Sequence, residues 1–564
     1  MIVYIITISI LALYIASKWW LRRKQKEKLQ LAVQECLQCR EKTIEEVSAK
    51  CAEVPVERKE MIAKLDLKQL IQCLQSGKCT AKEVLRTYQE KAIQAHYATN
   101  CVTTFITESD WWAEELDEQA KSQTYQRPPL FGIPISVKES IKIKGYAQTR
   151  GYAQDLTNLA AEDALLIHQI KELGAVPFVL TNVPQSLLSF SCSNPIYGTT
   201  INIHDRKRTC GGSSGGEAAL ISFGGSILGI GGDVGGSIRY PCHFCGIAGI
   251  KPSHLRLSQQ GSLGSVPGRP LVNSSTGPMA THTEELVTFL RIIWSGKWIS
   301  KHDPYVAPVD WDEQQFSQKK PLRIGYYDDD EWFKPTPALQ RAVHETILKL
   351  ENCGHQLVKF DPPNLTKGFE LFIGALTVDG GQYLLDKFNK DLIDKDFETT
   401  VRLLHLPSLL KRILGKLLMP LYPRIGQFLC ALPINTAELR QTYAEIANYR
   451  DLFVHALQSQ QIDAIICPVQ VLPAIEHHVA MKLISTTSYC GIFNLLDFAA
   501  GTVCVTKVNE EDEKKLQSYP ETDPWYKTVK EAVKESTGLP VGVQIAAPPY
   551  HEETVLRIMS DIER

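Results

Sequence analysis

The chain has 564 residues, of which 44% are hydrophobic and 22% are charged, and its formal net charge is −2. This length exceeds the roughly 250–300 residues at which a single hydrophobic core stops growing, and the composition is that of a folded globular protein, which excludes a small or disordered one. The near-zero charge argues against a nucleic-acid partner. Fifteen scattered cysteines in so long a chain are typical of reduced thiols in an intracellular protein.

The chain opens with an apolar stretch. Its first 17 residues carry no charge, and Trp19, Trp20 and the basic cluster 22–24 follow. About 20 apolar residues span a bilayer, and tryptophan favours the interface. A cleaved signal peptide would carry its positive charge before the apolar run and a small-residue site after it. We therefore expect a single-pass transmembrane anchor at residues 1–20, with the body of the protein in the cytosol because the basic residues follow the anchor.

A polar spacer and then an α/β pattern follow the anchor. Residues 21–65 are rich in Gln, Glu and Lys, which predicts a solvated helical spacer. Leucines recur on one face of residues 66–98, and Gly77 and Thr80 mark the end of one helix and the start of the next. Residues 163–173 predict a helix that a strand at 176–180 follows, an order typical of α/β folds. Further strands are predicted at 130–138, 322–327, 463–468 and 541–546.

The strand predicted at 130–138 ends on Lys138. A lysine in this position is most often a solvated strand end, and an unperturbed lysine, with a pKa of about 10.4, is a poor base at neutral pH. Burial among Ile133, Ile135 and Val137 would lower that pKa by several units. A neutral lysine beside a serine can then replace histidine as a general base. The strand alone leaves both interpretations open.

Residues 209–241 hold eleven glycines, which frame Gly-Gly-Ser213-Ser214-Gly-Gly and Asp-Val-Gly-Gly-Ser237. Glycine lets the backbone turn sharply or approach a reacting group. A serine beside free backbone N–H groups supplies a nucleophile and an oxyanion hole. Interleaved alanine, leucine and isoleucine exclude a flexible linker, and a phosphate-binding loop would need a following Gly-Lys-Ser/Thr. A hydrolase site and a structural glycine turn both stay open from these residues alone.

A second membrane signal lies at residues 402–429. Leucine and isoleucine recur there every three or four residues between five basic residues, and Pro407 starts a helix that Pro420 and Pro423 break into a hairpin. Five charges exclude a membrane span. A basic amphipathic helix lies in the headgroup plane or packs on a soluble core. Because an anchor is already predicted, we expect the hairpin to insert into the interface.

Several of these segments together resemble the amidase signature family. The set consists of Gly-Ile-Pro-Ile-Ser-Val-Lys138, the two serine turns, Gly-Ile-Ala-Gly-Ile-Lys-Pro (246–252) and Gly-Leu-Pro-Val-Gly-Val-Gln (538–544). The resemblance covers about residues 66–560, and the anchor and hairpin are similar to the fatty acid amide hydrolase branch. It implies an α/β catalytic domain at 66–564, with a large twisted mixed β-sheet covered by helices on both faces.

The resemblance also implies a serine–serine–lysine triad. Ser237 would be the acylated nucleophile, Lys138 the base, and Ser213, after a cis peptide bond, the proton relay between them. Ser214 would hold Lys138 by a hydrogen bond. The resemblance further implies an oxyanion hole and an apolar substrate contact, formed by the backbone N–H groups of Val234, Gly235, Gly236 and Ser237 and by the side chain of Leu187.

These expectations combine into a membrane-bound serine hydrolase that cleaves fatty acid amides to a fatty acid and an amine through an acyl-enzyme. No organic cofactor and no metal site are expected. The Cys36/Cys39 pair lies in a polar helical stretch with no second pair at zinc spacing, and the Cys242/Cys245 pair lies in an apolar run just after Ser237, so both are read as structural. The expected partners are a lipid amide, the bilayer through 1–20 and 402–429, and a second copy of the chain.

The expected location is the endoplasmic reticulum or another endomembrane, with a mitochondrial membrane as an alternative. Two other functions stay open. The chain could be a weakly active or non-catalytic paralogue that anchors or regulates a membrane partner. It could also be an amidotransferase-type subunit.

Overall fold

A computed structural model describes residues 2–564, without the side chains at positions 2, 3, 5, 11, 12, 14 and 15. The strands of this part of the chain are β1 (Val102–Phe105), β2 (Pro134–Lys138), β3 (Val176–Thr181), β4 (Ser193–Asn194), β5 (Gly198–Thr199), β6 (Leu228–Asp233), β7 (Ala248–Lys251), β8 (Ser275–Ala280), β9 (Arg323–Tyr326), β10 (Gln356–Lys359), β11 (Ala464–Pro468), β12 (Ala499–Lys507) and β13 (Pro540–Ala547). Its helices are α1 (Ile2–Cys51), α2 (Val56–Ala63), α3 (Leu67–Gln75), α4 (Ala81–Thr99), α5 (Ser109–Gln119), α6 (Leu165–Glu172), α7 (Gly215–Ser222), α8 (Arg239–Cys245), α9 (Thr283–Ile293), α10 (Trp298–His302), α11 (Glu313–Ser317), α12 (Pro337–Asn352), α13 (Leu365–Leu376), α14 (Gln382–Asn389), α15 (Glu398–Leu404), α16 (Ser408–Leu418), α17 (Pro423–Cys430), α18 (Thr436–Ser459), α19 (Ser488–Leu495), α20 (Glu510–Leu516), α21 (Pro524–Ala532) and α22 (Glu552–Glu563).

The core is one mixed sheet with the strand order β1-β3-β2-β6-β8-β7-β12-β13-β11-β9-β10, and β4 pairs separately with β5. Strand β2 runs parallel to β3 and β6, β9 runs parallel to β10 and β11, and the other pairs are antiparallel. Every residue of β2, β3, β11 and β13 is buried. Because successive side chains of a strand point to opposite faces, helices and loops must cover both faces of the sheet. The expected α/β fold with a large mixed sheet is confirmed.

The predicted elements of the catalytic region are present. The four strands predicted at 130–138, 322–327, 463–468 and 541–546 correspond to β2, β9, β11 and β13, and β2 ends on Lys138 as expected. The region 66–98 forms two helices, α3 and α4. Thr80 caps α4 by accepting a hydrogen bond from the Glu83 amide while the Glu83 side chain accepts one from Thr80, which satisfies two otherwise unpaired donors.

The N-terminal region is one continuous helix, α1, so the predicted anchor and the start of the predicted spacer share a single element. Its described side chains before Leu29 are exposed, including Trp19 and Trp20, and from Leu29 onward it packs against the body of the protein. Part of the predicted anchor lies outside the described residues. Among those that are described, no helix is both long and apolar enough to cross a bilayer, so the predicted single-pass span finds no support there.

The predicted hairpin at 402–429 contains α16 and α17, with Pro407 just before the first helix and Pro423 opening the second. On helix α16 Lys411 is buried, and its Nζ donates a hydrogen bond to the Gly380 carbonyl at 3.4 Å, whereas Lys416 is exposed. Apart from Lys416, the exposed side chains of α16 are apolar, and Leu417 is 70% exposed. This outward apolar surface, the hairpin face, consists of Leu409, Leu410, Ile413, Leu414, Leu417 and Leu421. A helix packed on a soluble core shows the reverse arrangement.

One cysteine pair departs from the expectation of reduced thiols. Cys73 of α3 and Cys79, just before α4, form a disulfide with a Cα–Cα distance of 5.5 Å. The expectation was wrong for this pair because the turn between the helices brings two residues six positions apart within bonding distance. The other thirteen cysteines are free thiols.

Candidate active site

Lys138 lies at the carboxyl end of β2, between β3 and β6, and is 2% exposed. Its Nζ lies within hydrogen-bond distance of Ser213 Oγ (2.8 Å), Ser214 Oγ (3.0 Å) and the Gly232 carbonyl oxygen (3.0 Å). Burial lowers the pKa of Lys138 to about 7, because a low-dielectric surrounding disfavours the charged form. In the neutral form its lone pair can accept a hydrogen bond from a neighbouring serine hydroxyl, so the group can take up a proton near neutral pH.

The first serine turn is held tightly around Lys138. The peptide bond between Gly212 and Ser213 is cis, which confirms this expectation from the resemblance. A Cβ at Gly212 would lie 2.1 Å from the carbonyl oxygen of Ser191, so no other residue fits there. The Ser214 amide donates a hydrogen bond to the Ser237 carbonyl oxygen at 3.0 Å. This bond ties the two serine turns together.

Ser237 lies between β6 and α8 and is 8% exposed. Its hydroxyl makes no hydrogen bond within the described part of the chain. The structure thus joins Lys138 to Ser213 and Ser214 by hydrogen bonds and places Ser237 in the same cavity, but no described hydrogen bond joins Ser213 to Ser237.

A buried ion pair fixes the loop that carries Ser237. The Asp233 carboxylate accepts hydrogen bonds from the backbone amides of Gly236 (2.7 Å) and Ile238 (3.1 Å). Both of its oxygens also accept from Arg239, at 3.0 and 2.9 Å. Burial alone would raise the pKa of Asp233, but Arg239 and the two amides outweigh it and hold that pKa well below its usual range. Sequence reasoning missed this pair, although Asp233 opens the quoted motif and Arg239 stands six residues later.

The ion pair changes the composition of the expected oxyanion hole. Among the four amides implied by the resemblance, the N–H of Gly236 already donates to Asp233. The amides of Val234, Gly235 and Ser237 donate to no other group in the described residues. These three remain available to an incoming oxygen atom.

Two cavities of opposite character meet at Ser237. The apolar cavity has a volume of about 220 Å³ and extends from Ser237 to the α15–α17 region, where Leu404 and Phe428 line it. The polar cavity, about 20 Å³, contains Lys138 and Ser213. Five further hydroxyl-bearing residues line it, Ser140, Ser262, Ser265, Ser274 and Thr276. The two cavities share Leu187, Val234 and Ser237.

Leu187 stands at this junction in an unusual backbone conformation. Its φ is +62° and that of Ser186 is +65°, in the left-handed region that non-glycine residues rarely occupy. Such strain persists only where surrounding structure enforces it, and it clusters at functional sites. The expected apolar contact therefore lies beside Ser237, on the walls of both cavities.

Sequence reasoning also missed Glu217, a buried acid near the site. Its carboxyl accepts hydrogen bonds from Ser136 Oγ (2.6 Å), on the same strand as Lys138, and from Thr181 Oγ1 (2.8 Å), on the neighbouring strand β3. Burial raises the pKa of Glu217 to about 8. Where it is ionised, its charge raises the pKa of Lys138, which opposes the effect of burial on the lysine. Its position one residue after the first Gly-Ser-Ser-Gly-Gly turn was the available signal.

One group of ligand-type side chains lies close together in the described part of the chain: Asp394, Asp396 and His478, within 4.8 Å of one another. The ligand-type atoms of these three side chains already have hydrogen-bond partners within the protein. His478 Nδ1 lies 2.5 Å from an Asp396 oxygen, and serine hydroxyls at 191 and 193 donate to the two carboxylates. These contacts account for the grouping, and they do not point to a metal.

Comparison with known proteins agrees with this geometry. The Amidase family model matches residues 83–556. The chain is 48% identical to "Fatty acid amide hydrolase 1" of Caenorhabditis elegans over 96% of its length and 95% of that protein. It is 40% identical to "Fatty-acid amide hydrolase 1" of Sus scrofa, over 90% and 86%. A solved structure titled "Fatty acid amide hydrolase" superposes with a TM-score of 0.78 at 24% identity, over 96% of this chain and 95% of that one. The chain therefore belongs to the amidase signature family and is a hydrolase that acts on amides.

Proposed function

We propose that the chain hydrolyses fatty acid amides, with Ser237 as nucleophile. The observation that carries the proposal is the position of Ser237 between an apolar cavity and a polar one. An acyl chain gains about 0.8 kcal/mol for each buried CH₂, so the apolar cavity suits the acyl half and the polar cavity the amine half. The relatives named as fatty acid amide hydrolases support the same substrate class.

The proposed reaction begins with a proton transfer. Ser237 Oγ attacks the carbonyl carbon of the amide, and its proton passes through the Ser213 hydroxyl to Nζ of Lys138. The short Ser213–Lys138 contact and the pKa of about 7 support this path, and a Ser213–Ser237 hydrogen bond forms during it. The oxygen of the tetrahedral intermediate accepts hydrogen bonds from the free amides of Val234, Gly235 and Ser237.

Breakdown of that intermediate requires the proton to return. An amide nitrogen leaves poorly unless it is protonated, so Lys138 returns its proton through Ser213 to the nitrogen as the C–N bond breaks. The amine departs on the side of the polar cavity, while the acyl group stays bonded to Ser237. A water molecule then attacks the acyl carbon while one of its protons passes through Ser213 to Lys138. The bond between the acyl carbon and Ser237 Oγ breaks, the proton returns through Ser213 to Oγ, and the fatty acid leaves.

We further propose that the protein binds to a membrane surface through residues 1–20 and the hairpin face. The exposed leucines of α16 and the exposed tryptophans of α1 support this. Leu404 and Phe428 line the apolar cavity on either side of α16, so the cavity lies next to the elements that would touch lipid. A substrate dissolved in the bilayer then has a short path to Ser237. The homo-oligomer that the resemblance implies stays a prediction.

The test is profiling of lipid amides in membranes that carry wild type, Ser237→Ala or the control Ser300→Ala, which changes a half-buried serine of α10. Ser237→Ala should lower hydrolysis at least about 10³-fold and abolish covalent labelling by a fluorophosphonate, because the attacking oxygen is gone. Ser300→Ala should change neither. A folded wild-type protein that takes no label and releases no fatty acid would contradict the proposal.

A further inference from the structure

A buried lysine, Lys411 of α16, lies on the wall of the apolar cavity. It is 3% exposed, and the wall around it consists mainly of leucine, isoleucine and phenylalanine side chains. An ammonium group in such surroundings is costly, and proteins normally pair it with an acid or surround it with hydrogen-bond acceptors. A cation is therefore an unusual component of a cavity that suits an acyl chain.

Lys411 lacks the partners that a buried ammonium group needs. Within the described residues its Nζ makes one hydrogen bond, to the Gly380 carbonyl oxygen, and at 3.4 Å that bond is long. Burial lowers the pKa of Lys411, and no neighbouring carboxylate offsets this effect. Lys138, by contrast, has three close partners for its Nζ. Two N–H groups of Lys411 are left for a ligand.

Lys411 lies at the end of the cavity that α15–α17 form. The turn at Gly380 and Gly381 contacts both Lys411 and Leu404: Gly380 accepts the hydrogen bond from Lys411, and a Cβ at Gly381 would lie 2.5 Å from Cδ2 of Leu404. Leu404 and Lys411 both line the cavity, which extends from there to Ser237. An acyl chain attached to Ser237 therefore directs its far end toward Lys411.

The ligand that fits this arrangement is an anionic group at the end of an alkyl chain. The apolar walls bind the methylene groups, and the ammonium group binds a carboxylate through charged hydrogen bonds, which are stronger than those to a hydroxyl. Because Lys411 has already lost its hydration in the folded protein, binding costs only the hydration of the carboxylate. A phosphate at the bilayer surface does not reach a side chain that is 3% exposed.

We propose that Lys411 binds a carboxylate at the far end of the acyl group, so that the protein hydrolyses monoamides of long-chain dicarboxylic acids as well as ordinary fatty acid amides. This specificity rests on the proposed amide hydrolysis at Ser237. The distal carboxylate takes no part in the reaction. Water is the only co-reactant: the C–N bond breaks, the carbonyl carbon gains an oxygen, and a dicarboxylic acid and an amine leave.

The first experiment compares kcat/KM for the monoethanolamide of hexadecanedioic acid with that for the ethanolamide of hexadecanoic acid. Lys411→Met keeps the length of the side chain and removes its charge, so it should lower the diacid-to-monoacid ratio about 10- to 100-fold. Lys411→Arg should keep most of the ratio. The control Lys416→Met, which changes an exposed lysine of the same helix, should leave it unchanged. An unchanged ratio in Lys411→Met would overturn the proposal.

A series of diacid monoethanolamides from C8 to C18 tests the position of the carboxylate. In wild type, the diacid-to-monoacid ratio should peak within a narrow range of chain lengths, because only those lengths bring the carboxylate to Nζ of Lys411. Lys411→Met should remove the peak. A ratio that stays flat across the series in wild type would contradict a carboxylate site at the end of the cavity.

A binding experiment separates this proposal from failure of the hydrolysis itself. In the Ser237→Ala background, where no turnover is expected, Lys411→Met should weaken binding of the best diacid monoethanolamide about 10-fold or more relative to its monoacid counterpart. This result, combined with a wild type that hydrolyses neither ligand, would contradict the hydrolysis and support the site. Equal weakening of both ligands would contradict the site. The methyl ester of the diacid ligand, which lacks the charge, supplies the same comparison if Lys411→Met does not fold.

Discussion

Lys138 is the residue whose environment most changes its chemistry. It keeps three hydrogen-bond contacts but has lost almost all contact with water, and its pKa falls from the ordinary range to about 7. The neutral form is the one that can accept a proton from Ser213. Protonation of Lys138 below this pKa should therefore remove the base.

This gives a pH prediction for amide hydrolysis. We expect kcat/KM to fall about tenfold per pH unit below pH 7 and to level off above it, because lysine is protonated, and so inactive as a base, below its pKa. Lys138→Ala should remove that acid limb and lower amide turnover about 10²- to 10⁴-fold. A pH-rate profile of both proteins measures this.

Two controls distinguish a proton relay from a structural role of the lysine. Lys138→Ala should slow a matched ester less than the amide, because an alcohol leaves with less need for protonation. Equal losses on the two substrates would count against the relay. Glu217 also has a pKa in this range, about 8, so Glu217→Gln tests whether that acid causes the acid limb of the profile. The variant should keep the acid limb and move its midpoint to a slightly lower pH, because a negative neighbour that raises the pKa of Lys138 is lost.

Single residues also show what the sequence could and could not predict. The positions of Lys138, Ser213 and Ser237 follow from motifs with a fixed order along the chain. The hydrogen bond from the Gly236 amide to Asp233 depends on the path of a loop, and no local sequence pattern predicts that path. The burial of Arg269 with two nitrogens that have no hydrogen-bond partner in the described residues is likewise a property that neighbouring sequence does not record.

At the scale of elements, helix α15 and the hairpin connect the apolar cavity with the exposed hairpin face. Leu404, the last residue of α15, lines the cavity, whereas Leu406, two residues later, does not. The amphipathic pattern predicted the hairpin correctly, but it could not tell which way the apolar face points. The structure gives that direction: Lys411 is buried against the Gly380 carbonyl, and the leucines of the hairpin face lie outward.

A larger side chain at Leu404 should shorten the acceptable acyl chain. We expect Leu404→Trp to lower kcat/KM for C18 and C20 amides about tenfold or more relative to C8 and C10 amides, because filling the cavity removes several CH₂ contacts of about 0.8 kcal/mol each. Leu406→Trp is the matched control and should leave the chain-length profile unchanged. A uniform loss at every chain length in Leu404→Trp would indicate misfolding or an acyl site elsewhere.

The whole molecule combines the confirmed α/β sheet with exposed apolar surfaces at α1 and the hairpin face. The sequence located five strands, β2, β3, β9, β11 and β13, in which the hydrophobic pattern is strong, and gave no prediction for the other eight strands of the described residues. The hydrophobic pattern did not reveal that α1 continues unbroken to Cys51, because the polar residues after position 21 are equally compatible with a helix that ends there. The limits expected for the catalytic domain, 66–564, stay a prediction.

Membrane binding is a prediction at this scale. A protein lacking residues 1–20 should still sediment with phospholipid vesicles. Adding Leu409→Asp and Leu417→Asp should weaken that binding about 100-fold or more, because each leucine contributes about 1.5–3 kcal/mol when buried. Leu348→Asp with Leu452→Asp is the matched control, since these leucines are similarly exposed on α12 and α18. A truncated protein that stays entirely in the supernatant would show that the hairpin is not a membrane contact.

The arrangement of the two cavities on either side of Ser237 affects how the substrate specificity of such an enzyme can evolve. Of the residues that line them, three are common to both: Leu187, Val234 and Ser237. Substitutions elsewhere on either wall can alter selectivity for one half of the amide while leaving the other half and the reacting atoms in place. Duplicated copies of such a gene can therefore diverge toward new amines, or toward new acyl chains, by a few independent mutations. The same separation lets an inhibitor designer optimise the two ends of a molecule one at a time.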